Sequence, residues 1–181
     1  MTRNGVNLAE KTKFIVDHNV GKLTKLLRLM GFDAVFFAGL DDADMVATAL
    51  AENRVVLTRD TQIMKRGIIA SGQVRAMLIE GDRAELQVRQ VIAGLGLRLQ
   101  IEPFSLCLEC NQPLEPKDRE GMKHRVPPYV YQTQQHYMEC PNCHRVYWRG
   151  THWQAMAQRL DRIVKSEEQV DGAEKIQQGD R

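Results

Sequence analysis

Phe14-Ile15-Val16-Asp17-His18-Asn19-Val20-Gly21-Lys22-Leu23-Thr24-Lys25-Leu26-Leu27-Arg28-Leu29-Met30-Gly31 is the stretch on which the reading of the fold turns. Three apolar residues end on an acid, the pattern of a short buried strand. Val20, Leu23, Leu26, Leu27 and Met30 then recur at helical spacing until Gly31 stops them. The same strand-then-helix phrase repeats downstream. Ala34-Val35-Phe36-Phe37 is a second apolar run, and Asp41, Asp42 and Asp44 open a helix carrying Met45, Val46, Ala49 and Leu50. Val55-Val56-Leu57-Thr58 is a third run, ending in Arg59-Asp60. Val74 to Ile79 is a fourth, and Ala84 to Leu95 a further helix. Short apolar strands alternating with helices predict an α/β domain, a mainly parallel sheet flanked by helices, over residues 13–103.

The chain has 181 residues, enough for one such domain and a small second unit. No apolar run approaches the roughly 20 residues that span a bilayer. Residues 1–12 read as a flexible polar arm without a secretion signal, so no membrane and a cytoplasmic location are expected. Lys+Arg 25 against Asp+Glu 23 excludes a polycationic tail protein but leaves room for a local basic patch facing nucleic acid.

After Pro103 the pattern changes. Cys107–Cys110 and Cys140–Cys143 are two Cys-x-x-Cys pairs, separated by the 29 residues 111–139. Without an export signal, two metal-binding knuckles fit better than two disulfides. Four thiolates make a closed tetrahedral site, which predicts a structural zinc and a zinc ribbon over residues 104–153. His144 competes as a ligand only if a thiolate is missing. Pro127-Pro128-Tyr129-Val130-Tyr131 reads as extended chain in an intervening hairpin that runs to Tyr137. Both tryptophans and all four tyrosines fall in this part of an otherwise aromatic-poor chain. Trp148 and Trp153 are expected to build a small core, whereas Tyr129 and Tyr131 remain open to stacking on bases. Residues 154–181 read as a short helix, Gln154 to Val164, and a polar tail.

In a parallel sheet, ligands gather beyond the carboxyl ends of the strands. Asp17, Asp60, Glu80 and Asp82 all follow strands, and Asp41, Asp42 and Asp44 start a helix on the same edge. Each acid alone is an ordinary cap or turn residue. Together they repel unless a cation neutralises them, and hard oxygen ligands suit Mg²⁺ or Mn²⁺ and phosphodiester hydrolysis. Asp33 reads only as a residue leading into the second strand. Lys22, Lys25 and Arg28 share one helical stripe, and Arg59, Lys65 and Arg66 flank Asp60; these groups suit an RNA backbone. A solvated helix face for Lys25 and an internal ion pair for Arg28 or Arg59 are the competing readings. For His18, plain exposure competes with a place near the metal.

These motifs resemble one family. Phe14 to Asp17, Gly21 to Asp33, Asp41 to Asp60, Cys107-Leu108-Glu109-Cys110-Asn111, Arg125 to Val130, Cys140 to Cys143 and Tyr147 to Trp153 are similar to the Mut7-C family of the PIN-like nuclease group. The resemblance implies a PIN-like domain, a C-terminal zinc ribbon and a metal-dependent ribonuclease. It assigns Mg²⁺ or Mn²⁺ to Asp17, Asp42 and Asp60, with Asp41 or Asp44 as substitutes. Thr58 would orient a carboxylate and Asn19 would support the first acid. By their positions beside the acids, rather than by the resemblance, Lys22, Lys25, Arg28 and Arg59 are the expected RNA contacts, and a protein partner stays open. Between Gly31 and Asp41 there is no counterpart of the helix glutamate of typical PIN nucleases, and His18-Asn19 is more polar than the family pattern. Three acids would then hold one cation rather than two. The alternative is a non-catalytic RNA- or ribosome-binding adaptor with a vestigial pocket.

Overall fold

The structure, a computed structural model, describes residues 11–39 and 41–165. Most of the flexible arm and of the polar tail expected from the sequence lies outside that range. β1 (Lys13–Asp17), β2 (Ala34–Phe37), β3 (Arg54–Thr58) and β4 (Ala76–Leu78) form one sheet in the order β2-β1-β3-β4. All three pairings are parallel, with Asp17 opposite Phe37, Val16 opposite Leu57 and Thr58 opposite Leu78. Their carboxyl ends therefore share one edge, and Asp17 and Thr58 stand at the ends of its two central strands.

Alternating residues of those strands feed two cores. Phe14, Val16, Val55 and Leu57 face α1 (Lys22–Leu29) and α5 (Ala84–Gly94), whose Leu23, Leu27, Val88 and Val91 are fully buried. Ile15 and Val56 face α2 (Asp42–Ala51), α3 (Thr61–Met64) and α4 (Gly67–Ala70) through Met45, Ala49, Ile63 and Ile69. Burial on both sides explains why β1 and β3 read as unbroken apolar runs, each buried large residue contributing about 1.5–3 kcal/mol. Gly31 ends α1 with φ +83°: its N–H donates to Arg28 O and that of Phe32 to Leu27 O, the paired closure of a Schellman turn. A Cβ at Gly31 would lie within van der Waals overlap of the Glu102 carbonyl, so the turn demands glycine on two grounds.

β5 (Glu115–Lys117), β6 (Tyr137–Glu139) and β7 (Val146–Trp148) form a small antiparallel sheet over Met122, Val126 and Tyr137. Two expectations are corrected in this region. Pro128–Thr133 is a helix, α6, rather than extended chain, because Pro128 occupies the first turn, where its missing N–H costs no hydrogen bond. The last helix, α7 (Thr151–Lys165), starts earlier than the expected Gln154 and does not hang free. Leu160 and Ile163 enter the main core, and Arg159 Nε donates to Glu85 Oε1 of α5 at 2.6 Å. Among the described residues no helix is long and apolar enough to cross a membrane.

Candidate functional site

The carboxyl edge of the main sheet carries a hydrogen-bonded chain centred on Thr58. Its hydroxyl donates to Asp17 Oδ2 at 2.6 Å and accepts from the Asp60 N–H at 2.9 Å. Asn19 bridges the same two strands: its amide N–H donates to Asp17 Oδ2 at 2.7 Å, and its carbonyl oxygen accepts from the Arg59 N–H at 3.1 Å. His18 Nδ1 lies 2.8 Å from the other Asp17 oxygen. Asp17 is 2% exposed and Thr58 fully buried, so this carboxylate is fixed by its neighbours rather than by solvent. Asp60 also caps α3, one of its oxygens accepting from the Gln62 N–H.

The other acids divide. Asp41 caps α2 through the Ala43 N–H. Asp42 lies 3.6 Å from the Arg66 guanidinium, and Asp44 stands exposed in the first turn of α2. Asp82 pairs with Arg59 at 2.6 Å. Glu80 is exposed, its backbone N–H donating to Gln90. Among the described residues, no three carboxylates bring their oxygens within 4.8 Å of one another. Asp17 and Asp60, linked through one hydroxyl, offer hard oxygens that suit a divalent cation. Asp41, Asp42 and Asp82 each hold another partner, whereas the Asp44 and Glu80 side chains stand exposed.

Beside this edge opens a cleft of about 860 Å³, lined by His18, Asn19, Lys22, Lys25, Phe36 and Arg59 among others. Lys22 has no ion-pair partner among the described residues. Lys25 reaches Glu109 at 2.7 Å. Arg28 differs from its stripe-mates. It is buried, and its guanidinium donates to the carbonyls of Ala34, Leu108 and Glu109 at 2.8–2.9 Å. Burial holds its pKa below the ordinary arginine value despite the nearby acids and thiols. The guanidinium is thus spent on joining α1 to the first cysteine turn.

The four cysteine sulfurs all lie within 4.8 Å of one another, and those of Cys107 and Cys143 are 3.7 Å apart. Four thiolates on a zinc at about 2.3 Å would sit roughly 3.8 Å apart, so the donors and their spacing fit such an ion. Burial pushes the Cys107 thiol up, but the Tyr147 hydroxyl and the N–H groups of Cys110 and Glu109 outweigh it and bring the pKa down to about 6. A thiol so disposed is readily metallated near neutral pH. His144 is not among the cluster: its Nδ1 lies 3.1 Å from Glu139, which a two-pronged Arg125 holds down at about 2.

Two site-supporting residues escape a reading of the sequence. Asp33 does more than lead into β2, since it takes both prongs of Arg54 and accepts from the Asn111 amide. Asn111 also accepts from the Ala34 N–H at 3.1 Å, docking the first cysteine turn onto the sheet. The available signal was the residue following Cys-x-x-Cys, where a left-handed backbone favours Asn.

Comparison with known proteins agrees with this arrangement of a parallel sheet and a cysteine cluster. The family model described as the Mut7-C RNAse domain matches residues 12–160, from the start of β1 into α7. No curated protein and no solved structure matches the chain. The match covers most of the chain, including both cysteine pairs, and the protein belongs to the Mut7-C RNAse domain family.

Proposed function

We propose that this protein is a divalent-metal-dependent ribonuclease that hydrolyses RNA phosphodiester bonds at the carboxyl edge of its PIN-like sheet, and that its four cysteines hold a structural zinc. The observation that carries the reading is the Asp17–Thr58–Asp60 hydrogen-bond chain, buried at Asp17 and Thr58, beside a cleft where Lys22, Lys25 and Arg59 outnumber the acids Asp82 and Glu109. Asp17 and Asp60 would hold Mg²⁺ or Mn²⁺, with Asp42 or Asp44 as the third acid. The bound ion would polarise the phosphate and lower the pKa of an attacking water. Thr58 and Asn19 fix the rotation of the Asp17 carboxylate, so its oxygens need no reorganisation when phosphate arrives. Lys22 and Arg59 attract the RNA backbone along the cleft, which makes binding weaken as salt rises.

The test is cleavage of structured and unstructured RNAs with Mn²⁺, run beside Asp17→Asn and Asp60→Asn. Each variant should lose at least about 100-fold in rate while keeping its thermal midpoint within a few degrees. Undiminished cleavage by both ends the nuclease reading. The spread of the acids favours a second reading, a non-catalytic RNA-binding adaptor. RNA binding without cleavage under Mn²⁺ would select it.

A further inference from the structure

Both tryptophans of the chain line one groove of about 450 Å³ between α6, β7 and α7. The expected small core forms instead around Met122, Val126 and Tyr137, with Trp148 only partly buried against it. Trp153 stacks on Phe104 with ring centres 4.6 Å apart, and the Arg149 guanidinium lies 5.2 Å from its ring centre. Tyr129, on α6 and 74% exposed, completes an aromatic lining in a chain that is otherwise poor in such residues.

The polar groups of the groove are selective. Among the described residues no carboxylate lines it, and Arg149 is the one charged side chain that does. Gln134 and Gln154 contribute amides whose side chains make no hydrogen bond among the described residues. Aromatic faces, a cation and free amides able both to donate and to accept are the requirements of an unpaired nucleobase and its phosphate. A purely apolar peptide segment would leave the amides and Arg149 without partners. Position supports the same occupant. Leu108 lines this groove and Glu109, the next residue, lines the cleft, so one cysteine turn contributes to the walls of both.

We infer that this groove is a nucleobase subsite, holding unpaired bases of the single-stranded RNA whose backbone runs through the cleft. The assignment rests on the RNA reading above and adds to it a second contact point remote from the acids. It accounts for an exposed tyrosine and a stacked tryptophan–arginine pair that the hydrolytic edge does not use.

Because both tryptophans stand in the groove, their fluorescence reports on it alone. The zinc-loaded full chain carrying Asp17→Asn, which keeps the RNA whole, is titrated with a labelled oligoadenylate while tryptophan emission and label anisotropy are followed together. Saturable quenching is expected with the single strand and not with a duplex of the same length. Tyr129→Ala and Arg149→Ala should each weaken binding about tenfold. Tyr129 is too exposed to disturb folding, and circular dichroism checks both variants. A rise in anisotropy without quenching overturns the subsite and leaves the RNA reading standing. No rise in anisotropy at low salt removes both. Equal quenching by an apolar peptide, with none by RNA, makes the groove a protein-docking site and overturns the assignment.

Discussion

Asn111 and His144 occupy the same place in the two cysteine turns. Their φ values are 61° and 57°, and each donates its N–H to the carbonyl of the first cysteine in its pair, at 3.0 and 2.9 Å. The return bonds also correspond, from Cys107 N to Gln112 O and from Cys140 N to Arg145 O. Beyond the backbone the likeness stops. The first turn spends its polar groups on the main sheet, through Asn111 to Asp33 and Ala34, and through its Leu108 and Glu109 carbonyls to Arg28. The second makes no such bond to the main sheet: Glu139 with Arg125 and His144 holds it, and Arg145 reaches only Glu109 of the first turn, at 3.0 Å. One knuckle is a joint between two sheets and the other a local clasp, so a disturbance of the metal should reach α1 and the cleft mainly through the first.

Metal removal should be the most severe test of that difference. A thiol-competing chelator should cost on the order of 10 kcal/mol of metal-linked folding free energy, read as a steep fall in the thermal midpoint. An unchanged melting curve would mean that the cysteines hold nothing. Next comes Arg28→Ala, which leaves three carbonyls without a donor and should cost about 3 kcal/mol in global unfolding. Arg125→Ala, by contrast, should leave the main unfolding transition alone and only speed metal release to a chromogenic chelator. Equal effects on both readouts would erase the distinction between joint and clasp.

The paired left-handed positions sharpen it further. Asn111→Ala should cost about 2 kcal/mol, from backbone strain and lost docking bonds, and Asn111→Gly should recover only the strain. His144→Gly should be close to neutral in the same denaturant titration. The smallest effect concerns acid. Burial raises the Asp33 pKa, but hydrogen bonds from Arg54 and Asn111 overcome it and hold the group below its ordinary value. A carboxylate depressed in this way stabilises the fold above the usual range and loses that contribution as pH falls through it. Asp33→Asn should therefore remove about 1 kcal/mol at neutral pH, allowing for partial exposure, and flatten the acid limb of the stability curve. An unaltered acid limb would show that Asp33 is not part of the joint.

The main sheet was legible because its message is periodic. Apolar triplets ending in Asp17 and Thr58, and the 3–4 spacing of α1, each admit one reading. The four-cysteine cluster was legible because Cys-x-x-Cys fixes its own geometry. What sequence could not supply was the partner across space. Lys25 and Arg28 look alike on a helical stripe, yet one points to an exposed acid and the other into carbonyls, and nothing local distinguishes them. Pro127-Pro128 suits an extended chain and a helix start equally well, and Pro128 takes the second role in the first turn of α6. The nearness of Asp17 and Asp60 followed from parallel strands. The pairing of Asp42 with Arg66 depends on where the turn between α3 and α4 falls, which no pattern encodes.

α7 has a consequence for how the cysteine-bearing region moves. That region leaves the main core near Leu97 and Ile101, and the chain comes home at Leu160 and Ile163. Moored at both ends, it is a bridge span rather than a pendant. A unit tied in this way is not free to swing on a single hinge, so an RNA strand of the kind proposed above would have to thread along a fixed bank. Shortening the chain ahead of α7 would open the hydrophobic interior of the sheet itself, far from the cut.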